Sequence, residues 1–204
     1  RSAFVYCFHH PKIGTWLGAS PEQLLKANAD SFETMALAGT QKDAGEETVI
    51  WQQKEKEEQQ FVTDYIVSKL KSVSTEIQVS EAYSVKAGTL WHIKTDISVV
   101  FGQELDLKKA IQLLHPTPAV CGVPKAISKA FIIANENYNR SFYTGFLGEL
   151  NRNFVSDLFV NLRCMQIENK QAHLYMGCGI TKDSDPEKEW RESVNKSMTM
   201  KRIL

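Results

Sequence analysis

The stretch EIQVSEAYSVKAGTLWHIKTDISVVF, residues 76–101, decides the fold. It holds two strand candidates, 76–85 and 89–101, both rich in β-branched and aromatic residues. No helical segment separates them. The rest of the chain follows the same habit. Further strand candidates are residues 3–9, 32–38, 142–150, 157–167 and 172–180, and helix candidates are 21–27, 51–73, 105–114, 124–136 and 186–200. Strands come in runs with helices between the runs, which predicts an α+β fold with antiparallel sheets and not a regular parallel βαβ array. Ser20-Pro21 and Asp185-Pro186 each set a capping side chain before a proline suited to the first helical position. Ser184-x-x-Glu187 also fits a capping box. No repeat, low-complexity segment or long linker divides the chain, so one domain is expected over residues 1–204.

The composition narrows the function classes. With 204 residues, 43% of them hydrophobic, the chain is long enough to bury one sizeable core. Its formal net charge is zero, so the overall electrostatic footprint of a nucleic-acid binder is missing. No apolar run approaches the roughly 20 residues that span a bilayer, and RSAFVYCFHHP at the start has no signal-peptide pattern. Cys7, Cys121, Cys164 and Cys178 show no C-x-x-C spacing, so free thiols in a reducing cytoplasm are expected. The first residues already read as a strand, and the last still read as a helix. The chain therefore reads as one that begins inside a fold. Nothing in it signals an oligomeric state.

The charge run WQQKEKEEQQFVTDYI, residues 51–66, is not uniform. Trp51, Val62, Tyr65 and Lys69 fall on one side of the expected helix, with Phe61 and Ile66 flanking. Stepping back from Val62 by four and by seven residues reaches Glu58 and Glu55, so both lie over the apolar stripe. Lys54, Lys56, Glu57 and Gln60 point more outward. The device recurs in SDPEKEWRESVNK, residues 184–196, where Glu189 and Glu192 are three apart and Lys196 lies four beyond. Two E-x-x-E helices could bring four carboxylates together, and these cannot converge unpaired without repulsion and desolvation. A hard divalent cation such as Mg²⁺ would resolve that conflict. Either pair alone is more often a solvated helix edge.

Three glycine-bearing stretches, LAGT (37–40), HPTPAVCGVPK (115–125) and YMGCGI (175–180), could bring backbone N–H groups close to an anion. None fits a nucleotide-phosphate motif, and alone they are tight turns. Arg163 sits in the strand candidate SDLFVNLRCMQI among apolar neighbours, where a guanidinium needs a carboxylate partner from the protein or from a ligand. His92 is a weaker case of the same kind.

Taken in order, GASPE, MALAGT, KEKEEQQFV, LWHIKT, HPTPAVCGVPK, RSFYTGFLGEL, LFVNLRC, YMGCGI and SDPEKEWRESVNK resemble the chorismate-utilising enzymes. That family includes isochorismate, anthranilate, aminodeoxychorismate and salicylate synthases. The likeness runs over nearly the whole chain. SDPEKEW and HPTPAVCG look closest to isochorismate synthases of menaquinone and siderophore pathways. The resemblance implies a chorismate-binding α+β fold with antiparallel sheets and outer helices, of which this chain is the C-terminal portion. It implies Mg²⁺-dependent conversion of chorismate to isochorismate, in which water adds to the ring as the 4-hydroxyl leaves.

By the same resemblance Glu22 is the general acid on the leaving hydroxyl. Glu58 and Glu192 are the metal ligands, with Glu55 and Glu189 holding metal-bound waters. Arg163, Tyr143 and Lys196 bind substrate carboxylates, His92 joins them in the substrate site, and Gly39, Thr40 and Gly177 line the pocket. Aminating relatives typically carry Thr at the position of Ala119, so Ala119 favours water over ammonia. The water-activating lysine of the family lies upstream of the SPE motif by more residues than this chain holds, and Lys12 does not match it. An incomplete site and exposed apolar sheet surface are then expected. If residues 21–27 are helical, their N-terminus would lower the Glu22 pKa, and burial would have to oppose it. Open alternatives are salicylate synthase, another family member, a ligand-binding fragment without turnover, and a plain α+β domain with solvated E-x-x-E helices.

Overall fold

Two antiparallel sheets organise the chain. The structure is a computed structural model and describes residues 3–28, 30–87, 90–101, 107–152 and 155–204. The first sheet has four strands in the order β1-β2-β10-β11: β1 (Phe4–His10), β2 (Gly14–Ser20), β10 (Cys164–Glu168) and β11 (Gln171–Tyr175). The second has seven: β3 (Gln23–Ala27), β4 (Ser31–Lys42), β5 (Glu76–Val79), β6 (Tyr83–Ala87), β7 (Leu90–Val100), β8 (Phe146–Arg152) and β9 (Val155–Val160). Its order is β5-β7-β4-β3-β9-β8, with β6 also on β7. The opening stretch pairs antiparallel as expected, but the single strand expected over residues 76–85 is split into β5 and β6, which both pair with β7.

Among the described residues five helices complete the fold: α1 (Gln53–Leu70), α2 (Leu107–Leu114), α3 (Pro118–Cys121), α4 (Lys125–Asn135) and α5 (Pro186–Lys201). Helix α1 lies on β4 and β7, and α2 lies on β3. The main core joins Val62, Ile66 and Leu70 of α1 and Leu114 of α2 to Leu24, Phe32, Ile97, Val99 and Val160 of the sheet. Each such side chain contributes about 1.5–3 kcal/mol by leaving water. A smaller cluster of Trp16, Tyr143 and Cys164 sits under the four-stranded sheet.

The chain passes between the sheets twice, from β2 to β3 and from β9 to β10. The two crossings run side by side. Ala19 N–H donates to the Arg163 carbonyl at 3.1 Å, and Val160 N–H donates to the Glu22 carbonyl at 3.0 Å. The Ser20 hydroxyl donates to the Val160 carbonyl at 2.5 Å. Glu22 lies on one crossing and Arg163 on the other.

The structure corrects several expectations. Residues 23–27 form strand β3, not a helix. QLLKA favours a helix locally, but β4 and β9 lie on either side and a bulge at Leu24 buries both leucines. Tertiary pairing outweighs a propensity of a few tenths of a kcal/mol per residue. Ser20 is accordingly not a helix cap. On α5 the cap is Asp185, which accepts from Lys188 N–H at 2.9 Å, so Ser184 does not begin a capping box. Strand β2 escaped the sequence reading because two glycines interrupt it. At Gly18 a Cβ would collide with the Tyr6 ring, which lies across this position from β1. The expected strand 157–167 breaks into β9 and β10, and Arg163 sits in the break with a φ of +49°. Strand β8 begins only at Phe146, which leaves Tyr143 in a turn, and β11 ends at Tyr175, before Gly177. Thr89, Leu105 and Asp106, the ends of two expected elements, lie outside the described residues.

Candidate active site

The site begins at the seam between the crossings. Glu22 is buried, and its Oε1 accepts from the Thr117 hydroxyl at 3.3 Å. Burial pushes its carboxyl up to about 7, although the Thr117 hydrogen bond, Lys196 and Arg163 all oppose the rise. The helix N-terminus expected at residue 21 is not there, since residues 23–27 form β3. A carboxyl held near 7 is protonated about half of the time at neutral pH, so it can donate a proton and be reloaded from water.

Arg163 leaves the second crossing in the left-handed region, a costly backbone state for a residue other than glycine and one that concentrates at functional sites. Its Nη2 donates to His92 Nε2 at 3.1 Å. The other ring nitrogen, Nδ1, lies 3.1 Å from the Gly39 carbonyl and 3.2 Å from the Thr40 hydroxyl. These partners assign the tautomer. Nδ1 carries the hydrogen, and Nε2 accepts. Burial and the Arg163 charge hold the ring down at about 4, so His92 is neutral. It acts as an acceptor that steadies Arg163.

Gly39 occupies a bulge on β4, where the register against β7 shifts between Ala38 and Thr40. Its φ is +71°, and a Cβ there would come within 3.1 Å of Glu55 Cβ on α1. Glycine thus lets α1 close on the sheet and frees a carbonyl for His92. Gly177 does similar work beyond β11. A Cβ on it would sit 2.8 Å from the Tyr143 hydroxyl. Its carbonyl accepts from Lys196 Nζ at 3.2 Å. Tyr143 is buried and stacks on Tyr175, with ring centroids 5.7 Å apart.

The carboxylates of the two E-x-x-E segments lie about two lysines, of which Lys196 pairs with Glu192 at 2.6 Å. On α1, Glu57 is exposed while Glu55 and Glu58 are partly buried. Burial raises the Glu58 pKa first. Lys54 opposes this, and Glu189, Glu192 and Glu55 push it further up. The four carboxylates are therefore within electrostatic reach of one another. Lys54 corrects an expectation. It turns inward, 3.3 Å from Glu189 and 3.8 Å from Glu58. Burial would raise Glu189, but the Ser184 hydroxyl and Lys54 together pull it below the usual carboxylate range. Ala119 is exposed in α3, two residues beyond Thr117.

Among the described residues, no three His, Cys, Asp or Glu side chains are gathered closely enough to hold a metal ion. The donor chemistry nonetheless suits a hard dication. All the donors are carboxylate oxygens, and Glu55 Oε2 is buried with no hydrogen-bond partner. The residues thus fit Mg²⁺ in kind, although they are not closed around a point.

Thr117, Lys54 and Gln59 were not singled out from the sequence. Gln59 is buried, and its amide donates to Thr95 Oγ1 at 2.6 Å and Thr63 Oγ1 at 2.9 Å, fixing α1 against β7 beside Glu58. Lys54 had a readable signal, since it stands one turn before Glu58. Thr117 had none beyond its place in HPTPAVCG.

Comparison with known proteins gives the family and the fold. The family model described as chorismate binding enzyme matches residues 1–204. Isochorismate synthase EntC of Escherichia coli is 30% identical over 98% of this chain and 54% of its own length. The structure of MenF, the menaquinone-specific isochorismate synthase from Escherichia coli, superposes with a TM-score of 0.85 at 28% identity, over 93% of this chain and 46% of that one. Anthranilate synthase component I from Streptococcus pneumoniae gives 0.84 at 25% identity, over 98% and 46%. The fold is thus shared across different chemistries, and this chain spans about half the length of the relatives it matches. With a family model covering every residue and a site assembled from the quoted motifs, the chain belongs to the chorismate-binding enzymes.

Proposed function

We propose that the protein is an isochorismate synthase, converting chorismate to isochorismate with Mg²⁺. The observation that carries this reading is Glu22, a buried carboxyl held near 7 and flanked by Arg163 and Lys196. Hydroxide is a poor leaving group, so loss of the 4-hydroxyl needs a positioned acid, worth about 10²–10⁴ in rate. Glu22 gives its proton to that hydroxyl, which departs as water. A second water bonds to the ring carbon at the far end of the shifting double bonds and loses its own proton to a base. That base is the lysine that the family resemblance sets upstream of these residues. The sum is an isomerisation, with one water in and one out.

Arg163 and Lys196 bring positive charge to the substrate carboxylates, and Tyr143 closes the same side beside Gly177. His92 leaves Arg163 fully charged because it is neutral itself. Glu58 and Glu192 would hold Mg²⁺, with Glu55 and Glu189 behind them, and the ion supplies a hard positive charge opposite a carboxylate. Ala119 stands where, by the resemblance, aminating relatives typically carry Thr, which supports water over ammonia as nucleophile. Four free cysteines fit a cytoplasmic biosynthetic enzyme feeding a menaquinone or siderophore pathway.

Incubation with chorismate and Mg²⁺, followed by chromatographic product analysis, tests the reading. Isochorismate is expected. Salicylate, or an aminated product when ammonia is supplied, would replace the subtype. Binding of chorismate without turnover would support a ligand-binding portion of a longer enzyme.

A further inference from the structure

The carboxylate cluster contains a cation of its own. Lys54 Nζ lies 3.3 Å from Glu189 Oε1 on α5 and 3.8 Å from Glu58 Oε1 on α1. It cross-links the two E-x-x-E helices, while Lys196 is engaged with Glu192 and the Gly177 carbonyl. The two lysines answer different needs. Lys196 is mostly buried, with 17% of its side chain exposed, and it is held at two points. Lys54 is 39% exposed, and its ammonium can swing to water on a four-carbon stem. Lys54 stands in the first turn of α1, where removing its charge leaves the buried helix face untouched.

We propose that Lys54 is an internal counter-ion that holds together Glu58 and Glu189 in the absence of a divalent cation and leaves the cluster when the cation binds. The inference rests on the reading above that these glutamates serve a dication. A dication and an ammonium cannot both sit against the same two carboxylates without repulsion. The cation must therefore displace Lys54, and its apparent affinity is weakened by the ion pair it breaks. An ion pair of this exposure is modest, so the competition amounts to about three- to tenfold in apparent affinity. It also sets an order of events, because α1 and α5 remain tethered before the metal arrives.

Mn²⁺ binding, followed through the loss of the free-ion paramagnetic resonance signal without chorismate, tests this. Lys54→Gln is expected to bind Mn²⁺ about three- to tenfold more tightly than wild type, and Lys54→Arg to bind as wild type or more weakly. In EDTA, Lys54→Gln should melt at a lower temperature than wild type, and Mn²⁺ should raise its melting temperature by the larger increment. Equal or weaker Mn²⁺ binding by Lys54→Gln would overturn the proposal, because the lysine would then be orienting the ligands and not competing for them. Glu58→Gln and Glu192→Gln separate the two levels. If both leave Mn²⁺ binding unchanged, the metal assignment itself fails and takes the role of Lys54 with it.

Discussion

The two halves of the site are built from different materials. Glu22, His92 and Arg163 stand on strands and sheet crossings, buried or partly buried, each with a named partner. Glu58, Glu189 and Glu192 stand on helices, and lysines of those same helices balance them. On the sheet side desolvation governs protonation, and it overrides Arg163 and Lys196 to raise Glu22. On the helix side the glutamates part: burial raises Glu58, while the Ser184 hydroxyl and Lys54 draw Glu189 below its usual range although it is buried. One half is suited to storing a proton, the other to exchanging cations.

The largest effect should come from the sheet side. Glu22→Gln keeps the shape and removes the proton, so turnover should drop about 10²–10⁴-fold while Mn²⁺ binding persists. The same change should stabilise the protein in mild base. Glu22 has a folded value of about 7 against an ordinary 4.5. Between those values the folded protein keeps a proton that the unfolded chain has lost, so stability falls as pH rises through that window, by about 3 kcal/mol at pH 8. Urea unfolding at pH 8 should find Glu22→Gln the more stable. An equally unstable variant would show that Glu22 is not held protonated.

On the helix side, Glu58→Gln should weaken Mn²⁺ binding about 10–100-fold, a loss of roughly 1.4–2.8 kcal/mol. Calorimetric titration measures this, and no change would dissolve the contrast between the halves.

His92 sharpens the comparison through its sign. Its folded value is about 4 against 6.5, so stability falls as pH drops through that range. From about pH 4.5 to 6.5 Glu22 and His92 pull in opposite directions, and their contributions to the wild-type pH profile should nearly cancel. Against wild type, the stability of His92→Leu should fall with rising pH there, and that of Glu22→Gln should climb. His92→Leu should also raise the chorismate KM about tenfold by freeing Arg163.

Gly39→Ala joins the halves. Its Cβ would press on Glu55 at a φ of +71°, so equilibrium unfolding should show a loss of about 1–2 kcal/mol. Glu57→Gln is the smallest case, within about 0.5 kcal/mol and silent in metal binding, because Glu57 faces solvent.

The same division explains what the sequence made legible. Helical phase separates Glu57 from Glu55 and Glu58 because a helix repeats every 3.6 residues whatever surrounds it. It did not reveal that Lys54 turns inward, since that depends on α5 approaching from 135 residues away. On the sheet side, the run of strands around residues 76–101 was readable from composition. The strand at residues 23–27 was not, because QLLKA becomes extended only when β9, remote in sequence, pairs with it on the side opposite β4. The break at Arg163 was equally hidden. Nothing local says that a β-favouring run must change sheets midway. Ordered motifs carried the family where periodicity stopped.

The paired crossings make the seam a mechanical joint. Both strands of backbone that link the two sheets are stitched to each other at Ala19, Ser20, Glu22, Val160 and Arg163. The acid and the guanidinium ride on that joint, one on each link. Opening the angle between the sheets therefore changes the gap between the two groups directly. A molecule gripped by both acts as a strut across it, and its grip and the stiffness of the joint rise together.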